Sequence, residues 1–323
     1  MVRPLTQKKF TSWIIRGNYV FQINFYKDLI AVNKARVLRN LLCRKDLAFL
    51  MEAHNALSAK IAENAGFEAL WASGLSISAS MGLSDRNEAT WTQVLDIIEF
   101  MVDHTKIPIL MDGDTGFGNF NNVRRLVKKL SQKGVAGVCL EDKLFPKLNS
   151  FLGDNQELAD ISEFCSKIKA AKDSQLDDDF CVIARIEALI AGQGMDEALK
   201  RAEHYYAAGA DALLIHSKKS DGDEVIEFSK RWEQRCPVVI VPTKYYKTPT
   251  NLFREAGIST IIWANHSLRA SIAGIKEVIK IIKDEEAVSS IEKNIATLDE
   301  IFSLTNEFEV QEAERKYTQT VTS

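Results

Sequence analysis

From residue 46 onward, short unbroken apolar runs alternate with longer stretches whose apolar positions recur at helical spacing. The runs are Leu47–Met51, Ala69–Trp71, Ile107–Met111, Val135–Leu140, Phe180–Ala184, Ala212–Ile215, Val238–Val241 and Thr260–Trp263. Each reads as a strand buried on both faces, because such strands are continuously apolar rather than alternating. The intervening patterns predict helices over Ala56–Asn64, Thr90–Asp103, Asn122–Lys133, Leu158–Lys172, Asp196–Ala208, Asp223–Gln234, Leu252–Ala256 and Leu268–Asp284, several of them stopped by a glycine. A Gly- and Ser-rich stretch after Trp71 carries no predicted element. Alternating strand and helix implies a parallel sheet. Eight such units match a closed (β/α)₈ TIM-type barrel, which typically takes about 250 residues. An open doubly wound sheet is the alternative, but no GxGxxG follows the first strand.

The same pattern divides the chain into a basic extension over 1–45, a barrel over 46–287 and extra C-terminal helices over 288–323. The last of these regions reads as two polar helices that pack on the barrel or on a neighbouring subunit. Charge is what sets the first region apart. Residues 1–45 hold ten Lys or Arg and one acid, Asp28. A basic, acid-poor start is the composition of an organellar transit peptide, although Ser is scarce; a helical appendage, or upstream sequence that the working protein does not need, is the favoured reading. The chain as a whole is near neutral, with a net charge of −3, so nothing suggests a nucleic-acid partner. No apolar run reaches the roughly 18 residues of a membrane helix. The cysteines (Cys43, Cys139, Cys165, Cys181 and Cys236) form no CxxC pair, which points away from a disulfide framework or a zinc site and towards a reducing, cytoplasmic setting.

In a barrel of this kind chemistry gathers where the strands end. The third strand ends in Asp112-Gly-Asp114 and the fourth in Glu141-Asp-Lys143. Asp112 and Asp114, two apart, project to the same side, and Glu141 reaches the same space. Three converging carboxylates need a cation, and oxygen ligands without His or Cys suit Mg²⁺, or Mn²⁺ as a substitute. Arg185 and His216 end the fifth and sixth strands. They offer a guanidinium fork and an imidazole suited to an anion, although a lone His is as often structural. Trp71-Ala-Ser73-Gly74-Leu75 offers backbone N–H groups for a carboxylate, or a turn that merely needs Gly. Asp211 stands before its strand and reads as structural. His104 and His204 lie in helices and read as surface residues, while His54 and His266 are left open.

The fourth strand runs into Glu141-Asp-Lys-Leu-Phe-Pro-Lys-Leu-Asn-Ser150 and ends in a Gly153-Asp-Asn turn. That stretch is too charged for packing. With Trp71-Ala-Ser-Gly-Leu75, Asp112-Gly-Asp-Thr-Gly-Phe-Gly-Asn119, Ala184-Arg-Ile-Glu-Ala188, His216-Ser-Lys-Lys219 and Pro242-Thr-Lys-Tyr-Tyr246, it resembles the phosphoenolpyruvate mutase family of the isocitrate lyase/phosphoenolpyruvate mutase superfamily. The resemblance runs from about residue 46 to about 317, with Gly113 where the family commonly has Ala.

It implies interconversion of phosphoenolpyruvate and phosphonopyruvate with Mg²⁺, the first step of phosphonate biosynthesis. By motif, Asp112 would ligate the metal directly, with Asp85, Asp114 and Glu141 acting largely through water. Ser73, Gly74 and Leu75 would grip the pyruvate portion and Trp71 would wall it. Asn149, Arg185 and His216 would hold the phosphoryl group, and Lys147, Asn149 and Ser150 would lie on a gating loop. The resemblance further implies a homodimer or homotetramer that exchanges the last barrel helix. A phosphonopyruvate hydrolase is the nearest rival and an inactive metabolite-binding barrel the more distant one. A carbon–carbon lyase would carry Cys in the loop where this chain has Lys143-Leu-Phe-Pro-Lys147.

Overall fold

The structure is a computed structural model that describes residues 13–16, 19–22, 33–151 and 156–318. The Gly153-Asp-Asn turn and most of the basic residues before Lys34 lie outside the described residues. Strands β1 (Trp13–Arg16) and β2 (Tyr19–Gln22) pair antiparallel, Trp13 opposite Gln22, and belong to a unit of their own.

From Lys34 onward the chain is a second unit built on a closed (β/α)₈ barrel. Its strands are β3 (Ala48–Ala53), β4 (Ala69–Ala72), β5 (Ile109–Asp112), β6 (Gly137–Glu141), β7 (Cys181–Ile186), β8 (Ala212–Ile215), β9 (Val238–Ile240) and β10 (Thr260–Trp263). All are parallel, and β10 closes the ring on β3 with Ile262 opposite Leu50. The outer helices are α2 (Ala56–Asn64), α4 (Trp91–His104), α5 (Phe120–Gln132), α6 (Ile161–Ser174), α7 (Gly194–Ala207), α8 (Asp223–Trp232) and α9 (Thr250–Glu255), while α10 (His266–Glu285) follows β10 and buries none of its residues. Capping explains several starts: Asn55 with Ser58 and Thr90 with Gln93 form reciprocal boxes that satisfy the first amides of α2 and α4. No helix among the described residues is long and apolar enough to cross a membrane.

Two apolar cores follow from the period of two along each strand. Leu70, Met111, Val138, Val182 and Leu213 point outward and pack beneath the helices. Leu50, Trp71, Leu110, Cys139, Ile183, Leu214, Val239 and Ile262 point inward and fill the barrel. Asp112, Glu141, Arg185 and His216 fall on the inward parity, just beyond the last apolar layer.

The inner core has a second source. Helix α1 (Lys34–Cys43) contributes Ala35, Leu38, Leu41 and Leu42 to it, and Leu38 is wholly buried. Basic side chains in and beside α1 fasten it to the end of the barrel remote from the site. Lys34 Nζ donates to the carbonyls of Val102 (2.9 Å) and Thr105 (2.7 Å). Arg39 reaches the Phe180 carbonyl and Asp211, and Arg36 pairs with Asp179 at 2.7 Å. Arg44 forms a two-pronged pair with Glu68 (2.9 and 2.7 Å). Gly137 at the start of β6 leaves room for this helix, since a Cβ there would lie 3.0 Å from Leu38 and 2.7 Å from the Cys181 carbonyl. Asp211 acts as its place before β8 implied, holding Arg39, Lys172 and the Val182 amide.

The Gly- and Ser-rich stretch folds as α3 (Gly74–Ser80), capped by Ser73. Ser and Gly are weak helix formers, so the pattern carried no signal for it; burial of Ile77 against the core holds it. After α10 come α11 (Leu298–Leu304) and α12 (Glu307–Tyr317), and the Leu304 carbonyl lies 2.6 Å from His104 Nε2. His104, expected at the surface, is therefore half-buried, while His204 is exposed as expected.

Candidate active site

The strand ends and the segment after β6 enclose a cavity of about 390 Å³. Trp71, Ser73, Leu75, Asp85, Asp112, Glu141, Lys147, Asn149, Ser150, Arg185 and His216 all line it. Of the residues singled out from sequence, Gly74 and Asp114 stand just behind the lining. The Gly74 amide donates to Asp112 Oδ2 at 3.2 Å, and a Cβ on Gly74 would press within 3.1–3.2 Å of the Asp114 and Asp112 carboxylates. A side chain there would require the two carboxylates to give by a few tenths of an ångström.

The acids form one half of the site. Asp114 sits in the left-handed backbone region (φ +48°), as do Asn87 (+58°) and Phe117 (+55°), a clustering of strain that accompanies functional loops. Lys147 reaches over from the segment after β6. Its ammonium lies 2.8 Å from Asp85 Oδ1 and is also paired with Asp114. Burial opposes charge on Lys147, but Asp114, Asp112, Asp85 and Glu141 outweigh it and hold the ammonium protonated. Burial, reinforced by Asp112, Asp85 and Glu141, pushes Asp114 up to about 8 despite Lys147. Asn87 ties the same parts together, donating to Asp114 Oδ2 and accepting from the Lys147 amide, both at 2.8 Å. Asn149 Nδ2 donates to Asp85 Oδ2 at 2.8 Å.

This acid set fits a hard divalent cation. Glu141 Oε1 is buried with no hydrogen-bond partner, and burial raises the pKa of Glu141, the mark of a carboxylate short of positive charge. The donors are all carboxylate oxygens. Among the described residues no three His, Cys, Asp or Glu side chains close around a single point.

The other half is a cation-and-donor cluster built on Glu187, which the Ala184–Ala188 motif contains without a role. Its carboxylate accepts from Arg185 Nε (2.5 Å), Ser150 Oγ (2.8 Å) and His216 Nδ1 (2.7 Å), and pairs with Lys143 at 3.2 Å. Burial would raise its pKa, but Arg185, His216 and Lys143 hold it well below the carboxylate range. His216 Nδ1 also lies 2.9 Å from Arg185 Nη2, and burial lowers the pKa of the ring. Arg185 also reaches Ser150 Oγ (3.1 Å) and Glu141 (3.4 Å). Below this layer Asp142 receives the Glu187 amide, Arg201 and Tyr205 and locks the end of β6 to α7.

Among further lining residues, Phe151 and Arg269 had no sequence signal, and Lys244 stood in the Pro242–Tyr246 motif without a role. Lys244 lies over the Phe151 ring at 4.9 Å, and Phe151 packs edge-on to His216. Arg269 comes from α10, and only closure of the barrel brings it to the cavity. His54 and His266 resolve into support around the start of α10. Glu52 binds His54 Nδ1 at 2.7 Å and accepts the Ser267 and Leu268 amides, capping that helix, while His266 packs edge-on to Trp263.

Comparison with known proteins places this geometry. The family model described as phosphoenolpyruvate phosphomutase matches residues 38–283. The chain belongs to that family. It is 55% identical to the phosphoenolpyruvate phosphomutase of Tetrahymena pyriformis over 89% of this chain and 96% of that one. A phosphoenolpyruvate phosphomutase structure from Streptomyces platensis subsp. rosaceus superposes with a TM-score of 0.87 at 45% identity, covering 88% of this chain and 99% of the other. A phosphonopyruvate hydrolase in complex with oxalate and Mg²⁺ superposes at 0.84 with 36% identity and the same coverage. The family match begins inside α1, so the family's span includes most of the plug helix.

Proposed function

We propose that the protein interconverts phosphoenolpyruvate and phosphonopyruvate by moving a phosphoryl group between the enol oxygen and C3 of one molecule, as the first step of phosphonate biosynthesis. The observation that carries this reading is the sharing of one cavity by the acid cluster and the Arg185–His216 pair, with Asn149 between them on the segment that roofs it. A small dianion needs both halves. The similarity to phosphomutases, greater than to the hydrolase, supports transfer over hydrolysis.

In the direction that opens the carbon–phosphorus bond, its electron pair becomes the C2–C3 double bond of the enolate. The carbonyl π pair moves onto oxygen, which then takes the phosphorus. In this reading Asp112, with Asp85, Asp114 and Glu141, would hold Mg²⁺. When bound, the ion supplies positive charge opposite the developing enolate. Ser73 and the amides of Gly74 and Leu75 orient the pyruvate portion, and Trp71 limits its plane. Arg185, fixed by Glu187, presents its fork to the phosphoryl oxygens, and Asn149 and His216 bracket the group in flight. A loose phosphoryl transfer is accelerated chiefly by such positioning and charge stabilisation. Lys147 neutralises the acids and, with Asn149 and Ser150, keeps water from the phosphorus.

The test is ³¹P NMR of phosphonopyruvate with the enzyme and Mg²⁺. Growth of the phosphoenolpyruvate signal supports the reading, and inorganic phosphate as the main product points to a hydrolase. Absence of turnover leaves a binding protein. Chelation should abolish turnover and Mg²⁺ restore it; comparing Mn²⁺ in the same assay tests substitution.

The same reading extends to assembly as a homodimer or homotetramer through α10. That helix buries none of its residues, and Ile272, Ile275 and Ile279 stay 43%, 57% and 60% exposed. A row of isoleucines at helical spacing in water calls for a cover. A monomeric mass by light scattering would sink this part.

A further inference from the structure

Lys143 is a lysine with no place in the chemistry above. It is 2% exposed, and its ammonium meets polar atoms of the roof and of the barrel beneath it. Nζ donates to Ser150 Oγ at 2.6 Å and to the Leu148 carbonyl at 2.9 Å, and pairs with Glu187 Oε2 at 3.2 Å. Two partners belong to the roofing segment, while the third belongs to the end of β7. Lys143 itself starts that segment, anchored by a bridge to Leu158 and by Asp142 beneath it. One buried ammonium, through two hydrogen bonds and one ion pair, thus gathers the roof onto the barrel.

A buried ammonium is costly unless paired and fully hydrogen-bonded. Here that condition holds only while Leu148 and Ser150 stand against Glu187. If the roof lifts, Lys143 loses two of its three partners, and Ser150 leaves Arg185 as well. The charge penalises the open arrangement. Asn149 lies between Leu148 and Ser150, and Gln156 also holds its carbonyl at 3.1 Å.

We propose that Lys143 is a positioning residue that sets the partition between transfer and hydrolysis. It does so by holding Leu148–Ser150 shut while the phosphoryl group is between oxygen and carbon. The inference rests on the mutase reading for its chemical consequence but not for its structural one. With the roof shut, the enolate oxygen is the acceptor and phosphoenolpyruvate forms. With the roof loose, a water oxygen takes the phosphorus instead, its protons pass to the solvent or the product, and the enolate takes a proton at C3. Phosphonopyruvate and water then yield pyruvate and inorganic phosphate, with no oxidant or reductant required.

The test compares the wild type with Lys143→Met, which keeps length and removes charge, and Lys143→Arg, which keeps charge. ³¹P NMR reads the ratio of inorganic phosphate to phosphoenolpyruvate from phosphonopyruvate with Mg²⁺. Hydrogen exchange reads the amides of 147–151. Lys143→Met should raise the phosphate fraction at least tenfold and speed those amides at least tenfold, and Lys143→Arg should restore both in part. A folded Lys143→Met with wild-type partition and exchange would overturn the proposal. Should that variant fail to fold, Lys143→Gln, which removes the charge but keeps a hydrogen-bond donor for Ser150 or Leu148, is read the same way. If the wild type makes only phosphate, the mutase reading falls, whereas the exchange measurement still decides whether Lys143 holds the roof.

Discussion

Replacing Glu187 by Gln changes no volume and one charge, and the consequences can be worked bond by bond. With the amide oxygen at the present Oε1 position, the Arg185 Nε and His216 Nδ1 bonds survive. The amide nitrogen must then face Lys143 Nζ, donor against donor, at the 3.2 Å now spanned by an ion pair. Turning the amide over restores Lys143 and sets the same conflict against Arg185 and His216. Either way one buried cation loses its counter-charge, and removing one partner of a buried pair costs about 3–5 kcal/mol of stability. Arg185 is the group the reaction can least spare. If it tilts away from the phosphoryl oxygens, a hundredfold fall in kcat corresponds to about 2.7 kcal/mol at 1.36 kcal/mol per tenfold. Urea unfolding and ³¹P turnover measure the two effects separately. Unfolding free energy within about 0.5 kcal/mol of the wild type, together with unchanged kcat, would refute the role given to Glu187.

Three further outcomes follow from the same geometry. Leu38→Ala empties a wholly buried position between α1 and the barrel and should cost about 2–5 kcal/mol in urea unfolding, with KM little changed because the site lies at the other end. Asn149→Ala removes an amide that bonds Asp85 and should cut kcat by ten- to a hundredfold while leaving the circular dichroism spectrum intact; near-normal turnover would remove Asn149 from the mechanism. On acidification, burial keeps His216 neutral below its ordinary pKa, so the unfolded chain binds the extra proton first and stability falls as pH drops below about 6.5. Glu187, held well below the carboxylate range, adds stability present above its ordinary pKa and lost as pH falls through its folded value. Both groups act in the same direction. Asp114, raised to about 8, works the other way, so the His216 contribution is read by difference: in thermal unfolding, the Tm of the wild type should fall relative to that of His216→Gln as pH drops below about 6.5.

What the sequence determined by itself was the barrel and the placement of chemistry at one end of it. Strand and helix periods are written in consecutive residues, and the period of two that buries Leu110 and Cys139 also carries Asp112 and Glu141 to the mouth. Motif spacing did the rest for Lys147, Asn149, Arg185 and His216, which line one cavity. Other features depended on residues far apart in the chain. The apolar face of α1, Leu38 with Leu41 and Leu42, looked like an ordinary helix stripe within a basic extension, and only the open end of the barrel makes it a plug. Lys34, Arg36, Arg39 and Arg44 looked like excess charge until carbonyls and acids from distant strand ends met them. Helix α3 needed burial to overcome poor propensity. The charge map of the site was the least legible part, because pairing is decided through space: Lys143 stabilises Glu187, and Lys147 binds Asp85 and Asp114, only once strands and roof stand together. A local pattern can place a charge at a strand end, but which buried partner neutralises it is a property of the folded barrel alone.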